Sequence, residues 1–269
     1  MRTRGDAGAL PAAPHAGVVT AMSRAAATVS LRSSANANHR GGDIFDIAPD
    51  RAGRDTWVLI ADASSKGSLG ALHAEMIRDA FRAAIAEFAT PVAVMTYLNG
   101  LRFDSPGPDL RVTFASAIVA RISPSTENLC YASAGHDIGL LFSGRAHQHL
   151  APTGPLLGIF RECEYTERTL PFERKALLVL ATDGITEARC FAEASLQFGT
   201  SGLARAVSER LPHGRVRADD VCARLDAFTN KLYHDDATVA IITAGAHPQR
   251  KIRYVSIAQR SLRCNKEQM

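Results

Sequence analysis

Residues 56–67 read TWVLIADASSKG. Trp57 to Ala61 is an unbroken apolar run, rich in the β-branched and aromatic residues that favour strands. It ends abruptly in Asp62, and Ser64, Ser65, Lys66 and Gly67 break it off. From Ser68 onward the period changes. Leu69, Leu72, Met76, Ala80, Ile85 and Phe88 recur at helical spacing, with Glu75, Arg78, Asp79, Arg82 and Glu87 off the stripe. That pattern predicts a long amphipathic helix burying the first set. A strand thus delivers a carboxylate to a turn, and a helix carries the chain away.

Working outward, Thr28–Arg32 and Asp43–Ile47 read as strands before this block. Thr90-Pro91 starts a second helix through Val92, Met95, Leu98 and Leu101, since proline suits a first helical turn. Strands return at Arg111–Ile122, Leu129–Ser133 and Ile138–Phe142, with SPSTEN (123–128) as a turn and Gly135-His136-Asp137 between the last two. The loop APTGPLLGI (151–159) precedes strands Cys163–Leu170 and Ala176–Ala181. Two helices over 201–211 and 217–233 and a strand Ala237–Thr243 complete the order. Helices segregated from runs of strands predict an α+β domain with antiparallel sheets, not a doubly wound parallel sheet.

The chain has 269 residues and a net charge of +4, unevenly spread. Residues 1–40 carry +4, 246–269 carry +5, and 41–245 carry −5. An acidic body sits between two basic ends. Residues 1–25 read as a flexible lead, 26–244 as one domain, and 245–269 as a basic tail. No stretch approaches the roughly 20 apolar residues of a membrane span, and Asp6, Pro11, Pro14 and His15 interrupt any secretory signal. The five cysteines are scattered and form no C-x-x-C pair, which fits a reducing cytoplasm. Neither basic end interleaves aromatics with its charges, which argues against a nucleic-acid interface.

Three aspartates stand where strands give way to turns: Asp62, Asp183 in VLATDGITEA, and Asp235 or Asp236 in HDDATVAII. Asp43, after Gly41-Gly42, is a fourth at a strand start. Such carboxylates are costly at the lip of an apolar strand unless water or a cation reaches them. Converging at one sheet end, they suit hard divalent cations with oxygen ligands. Any one of them also reads as a turn cap.

The ordered set GGDIFD (41–46), LIADASSKG (59–67), SAGHDIGLL (133–141), TGPLLGI (153–159), ATDGITEA (181–188) and DDATVAII (235–242) resembles the PPM-type, protein phosphatase 2C-like serine/threonine phosphatases. The branch it resembles is the bacterial SpoIIE-like one, across residues 26–244. The resemblance implies a β-sandwich of two antiparallel sheets flanked by helix pairs, with two Mn²⁺ or Mg²⁺ ions at one end. It implies that Asp62 bridges the ions, that the Ala63 carbonyl ligates one, and that Asp183 and Asp235 hold the other. Asp43 would orient or deprotonate water, Asp236 is the lesser ligand of its pair, and Asp46 stands farther back. A metal-bridging hydroxide would then attack the phosphoserine or phosphothreonine of a small regulatory protein. The implied substrate is a phosphorylated STAS-domain anti-anti-sigma factor, and a homodimer stays open.

Other motifs give way to this reading. Ser64, Ser65 and His136 suggest a hydrolase dyad, but nothing in the sequence joins them, and His136 reads as fixing its turn. Lys66-Gly67 lacks the glycine spacing of a phosphate loop. Arg40 is off register for a phosphate contact and reads as surface. The chain also departs from the family pattern. Ala61 and Ser65 replace glycines of G-D-[VIA]-S-G-K-G, Ala181 replaces an aromatic, and the proton-donating histidine of eukaryotic relatives has no counterpart. A left-handed Ser65 would cost about 1–2 kcal/mol and loosen metal binding. About 25 residues precede the domain, too few for a folded sensor. The competing reading is a catalytically weak phosphatase-fold binding module.

Overall fold

The structure is a computed structural model; it describes residues 18–21, 25–32, 41–65, 67–104 and 114–244. Most of the N-terminal lead, the whole basic tail, Arg40, Lys66 and Cys264 lie outside the described residues. The chain runs β1 (Val18–Ala21), β2 (Ala25–Arg32), β3 (Asp43–Pro49), β4 (Thr56–Ala63), α1 (Gly67–Glu87) and α2 (Pro91–Asp104). It continues through β5 (Ala115–Ser123), β6 (Asn128–Ala134), β7 (Gly139–Ser143), β8 (Ala146–His149), β9 (Arg168–Pro171) and β10 (Leu177–Ala181). The last part is α3 (Asp183–Thr186), α4 (Gly199–Arg210), α5 (Ala218–Thr229) and β11 (Ala237–Ala244).

Two sheets form, with strand orders β1-β2-β11-β10-β7-β8 and β3-β4-β5-β6-β9, and neighbouring strands within each pair antiparallel. The two-residue period of a strand decides what each face meets. In β4, Val58 and Ile60 pack between the sheets, while Trp57, Leu59 and Ala61 pack against α1 and α2. In β10 and β11, Leu178, Leu180, Ala240 and Ile242 face inward, while Val179, Ala181, Val239 and Ile241 meet α4 and α5. The result is four layers: helix pair, sheet, sheet, helix pair. Each fully buried aliphatic contributes roughly 1.5–3 kcal/mol, so the layers hold without disulfides. Cys130, Cys163, Cys190 and Cys222 are all free thiols. No helix among the described residues is long and apolar enough to cross a membrane.

The α+β sandwich is as the sequence predicted, but α1 turns a different face inward. It buries Gly70, His73, Ala74, Ile77, Phe81, Ala84 and Ile85. Leu72 and Phe88 of the expected stripe are exposed at 48% and 38%. Small residues let the helix lie close to the sheet, so close packing outweighed side-chain size. Residues 18–21, expected in a flexible lead, pair with β2 as an edge strand, as the β-branched Val18-Val19-Thr20 allows. The expected strand 163–170 shrinks to β9. The helix expected to reach residue 233 stops at Thr229, because Asn230 takes the left-handed conformation (φ 52°) that ends helices. Tyr233 then folds back to donate its hydroxyl to Asp226, whose carboxylate also holds Arg32 of β2 at 2.9 Å.

Candidate functional site

Strand parity gathers the aspartates. Asp43 and Asp62 are directly opposed in the β3–β4 register. Both continue the inward faces of their strands, set by Ile47 in β3 and by Val58 and Ile60 in β4. On the facing sheet, Thr182 follows Leu178 and Leu180 in phase, and Asp236 and Thr238 precede Ala240 and Ile242 in phase. The inner faces of both sheets therefore end in polar side chains at the same end of the sandwich. The contact across the gap is direct: Thr182 Oγ1 and Thr238 Oγ1 both donate to Asp43 Oδ2, each at 2.7 Å. Thr182 Oγ1 in turn accepts the Thr238 backbone N–H at 3.0 Å.

This crowding has an electrostatic signature. Burial, and then the neighbouring Asp62 carboxylate, push the Asp43 carboxyl well above the usual carboxylate range. The Thr238 and Thr182 hydroxyls pull it partly back, and Asp236 adds to the rise. The buried Asp43 thus feels the charges of both Asp62 and Asp236.

The remaining candidates are fixed through backbone contacts. Ala63 N–H donates to the Gly42 carbonyl at 3.2 Å. A Cβ on Gly42 would lie 2.3 Å from the Ala63 carbonyl oxygen, so only glycine permits this approach. Asp183 opens α3 directly after β10, and Gly184 is pressed against the Asp236 carbonyl, which a Cβ would meet at 2.0 Å. Asp235 is exposed, and its Oδ1 accepts the Asp236 backbone N–H at 2.9 Å. Asp236 is the buried member of that pair, its carboxylate beside Gly41. Asp236 is therefore the member of the pair on the Asp43 side.

Asp46 falls outside the cluster. It lies on the other face of β3 with Ile44 and Ala48, toward α1. Arg82 of α1 holds it with Nε on Oδ2 and NH2 on Oδ1, and Oδ1 also accepts the Ile47 N–H at 2.9 Å. Its work is to clamp α1 to β3. We expect Arg82→Ala to lower stability by about 1–2 kcal/mol in urea unfolding, since the guanidinium is one-third exposed and solvent screens part of the pairing. An unchanged midpoint would mean the clamp adds nothing.

Two serine–histidine pairs form, but neither joins Ser65 to His136. Ser65 Oγ lies 2.6 Å from Nδ1 of the buried His73, and Ser116 Oγ lies 2.8 Å from Nδ1 of His136. Ser64 Oγ accepts the Phe114 N–H at 3.2 Å. Among the described non-glycine residues, positive φ occurs only at Glu127, Lys175, Asn230 and Lys231, so Ser65 is unstrained. Among the described residues of this loop, Gly67 is left-handed, at φ 70°. The expected strain from the serine replacement does not arise.

Sequence reasoning missed Thr182, Thr238, His73 and Ser116. The threonines left a readable trace: each is a hydroxyl at an inward position of an otherwise aliphatic strand, one residue or two from an aspartate.

The donors here are carboxylates and a carbonyl, the hard oxygen ligands that Mg²⁺ and Mn²⁺ take. Among the described residues, no three His, Cys, Asp or Glu side chains close to direct coordination around one point. The mutual repulsion at Asp43 is what such cations would relieve.

Known proteins resemble this chain in sequence and in fold. The family model for stage II sporulation protein E (SpoIIE) matches residues 52–245. Phosphoserine phosphatase RsbU of Bacillus subtilis (strain 168) is 27% identical over 158 residues, covering 58% of this chain and 46% of RsbU. The chain thus spans about half the length of that relative. The crystal structure of the RsbU and RsbW domains of Rv1364c from Mycobacterium tuberculosis superposes with a TM-score of 0.71 at 20% identity, covering 92% of this chain and 70% of that one. RsbX in complex with magnesium superposes at 0.62 with 17% identity, over 86% of this chain and all (100%) of that one.

Proposed function

The chain belongs to the SpoIIE family of PPM-type phosphatases, and from that premise we propose that it is a metal-dependent phosphatase of phosphoserine or phosphothreonine on a small regulatory protein. We read the phosphatase domain as the 26–244 expected from the sequence extended by β1 and the start of β2, which pair into its six-stranded sheet. The observation that carries this reading is the meeting of Asp43, Asp62 and Asp236 where the inner faces of the two sheets end. Asp62 and the Ala63 carbonyl would hold one Mn²⁺ or Mg²⁺ ion, and Asp183 and Asp235 the other, with Asp62 shared. Bound there, the cations would lower the pKa of water toward neutrality and shield the charge of the phosphate.

The chain's own residues do the rest. The two threonine hydroxyls fix Asp43 through Oδ2, which leaves Oδ1 to orient water and accept its proton. Gly42 brings the Ala63 carbonyl to the same end. No serine, cysteine or histidine nucleophile is required, in keeping with both histidine rings of the serine pairs being buried. The substrate class follows the family: a phosphorylated STAS-domain anti-anti-sigma factor in a partner-switching system, in the cytoplasm. RsbU is named a phosphoserine phosphatase, which supports the phosphoserine ester as substrate. Strain at Ser65, one of the departures that would loosen metal binding, is absent.

The test is turnover of p-nitrophenyl phosphate and of a phosphoserine-bearing STAS protein, with Mn²⁺ and with EDTA. We expect Mn²⁺-stimulated hydrolysis of both, abolished by the chelator. Binding of the phosphoprotein without any metal-stimulated turnover would favour the binding module instead.

A further inference from the structure

His136 is buried at 3% exposure, and both of its ring nitrogens are engaged. Nε2 lies 2.9 Å from the Ala181 carbonyl oxygen, and Nδ1 lies 2.8 Å from Ser116 Oγ. A carbonyl only accepts, so Nε2 carries the proton, and Nδ1 accepts the Ser116 hydroxyl. The ring is neutral, since burial holds its pKa down at about 4.

The partners matter more than the bonds. Ser116 sits in β5 directly opposite Asp62 in the register. Ala181 closes β10, immediately before Thr182 and Asp183. His136 itself leaves the end of β6, where Ser133 Oγ donates to its carbonyl at 2.6 Å. One imidazole therefore links the sheet that carries Asp62 to the sheet that carries Asp183. A second polar link at this end is the pair of threonine hydroxyls on Asp43.

We propose that His136 is a positioning residue: through Ser116 and the Ala181 carbonyl it fixes the separation of the Asp62 side of the site from the Asp183 side. This goes beyond fixing the turn in which it lies. The inference rests on the metal-dependent reading above. It assigns the ring no contact with substrate. A leucine would fill much the same volume but would leave the Ala181 carbonyl and the Ser116 hydroxyl without their bonds to the ring. What a leucine lacks is the two directional bonds.

The test uses the full chain with His136→Leu, His136→Gln and Ser116→Ala. Mn²⁺ binding to metal-free protein is measured by calorimetry, alongside kcat and KM for p-nitrophenyl phosphate at saturating Mn²⁺ and thermal unfolding. His136→Leu is expected to weaken Mn²⁺ binding about 10- to 100-fold, as loss of a ligand-orienting partner does elsewhere. It should lower kcat with KM little changed. The Gln amide can still donate to Ala181, so His136→Gln should recover most of the loss. Ser116→Ala, which opens almost no cavity, should shift Mn²⁺ affinity the same way by a smaller factor, and it serves if the leucine variant does not fold. Folded variants with wild-type Mn²⁺ affinity and kcat, differing only in melting temperature, would overturn the proposal while leaving the phosphatase reading intact. A wild-type chain that neither binds Mn²⁺ nor turns over the ester overturns both.

Discussion

Asp62→Asn is expected to abolish Mn²⁺-stimulated hydrolysis, lowering kcat/KM by about 10³-fold or more, equivalent to about 4 kcal/mol of barrier. The substitution keeps the shape of the side chain and removes its charge. That charge is the one shared between both proposed ions, so its loss weakens the whole site and not one half. The metal-free protein should respond in the opposite sense. The Asp62 carboxylate is a main cause, after burial, of the raised pKa of Asp43, and the two strands hold these residues in direct register. Neutralising one member relieves that repulsion, so metal-free Asp62→Asn should melt at or above the wild-type temperature. Adding Mn²⁺ should raise the wild-type melting temperature by ligand linkage and leave the variant's where it was. Activity lost together with a large drop in metal-free stability would point to a structural role for Asp62. Activity retained would remove the residue from the site.

The same separation of charge from fold explains what could be read from the sequence. Asp62 and Asp183 were legible because each stands where an apolar strand ends, and Asp43 because it opens a strand straight after Gly41-Gly42. Their convergence was legible only through the family resemblance, since which strand ends meet is a matter of topology. Asp235 and Asp236 are adjacent, so no pattern of spacing separates them. The phase of β11 does: Asp236 shares the inner face with Thr238, Ala240 and Ile242. Applying that phase to β3 also moves Asp46 away from the site, to the helix side with Ile44 and Ala48. The face of α1 was misread for a related reason. Large aliphatic residues mark an amphipathic stripe, yet Gly70, Ala74 and Ala84 line the buried one, where the backbone must come close to the sheet. The histidines were the least legible. His73 and His136 owe their roles to hydroxyls eight and twenty residues away in the chain, and sequence carries no sign of such pairings.

Gly42→Ala should be almost as damaging as losing Asp62, without touching any charge. The added Cβ would stand 2.3 Å from the Ala63 carbonyl oxygen, 3.0 Å from its nitrogen and 3.1 Å from its carbonyl carbon. All three atoms are backbone, so no side chain can rotate aside. The strands are also tied at this point by the Ala63 N–H bond to Gly42 and by the Asp43–Asp62 pairing one step inward. Relief therefore requires prising apart the ends of β3 and β4, at a cost of about 2–4 kcal/mol. That movement displaces the Ala63 carbonyl and turns Asp43 and Asp62 out of register. A displacement of about 1 Å in a catalytic constellation costs on the order of 10²-fold in rate, and here two proposed ligand positions shift together. We expect kcat to fall by at least that factor, with weaker Mn²⁺ binding. Gly100→Ala is the matched comparison. Gly100 lies within α2 with nothing within 4 Å of an added Cβ, so alanine there should raise stability by about 0.5–1 kcal/mol and leave kcat alone. If Gly42→Ala behaves like Gly100→Ala, the close approach of Gly42 to Ala63 does not hold the site together, and the Ala63 carbonyl is not a ligand.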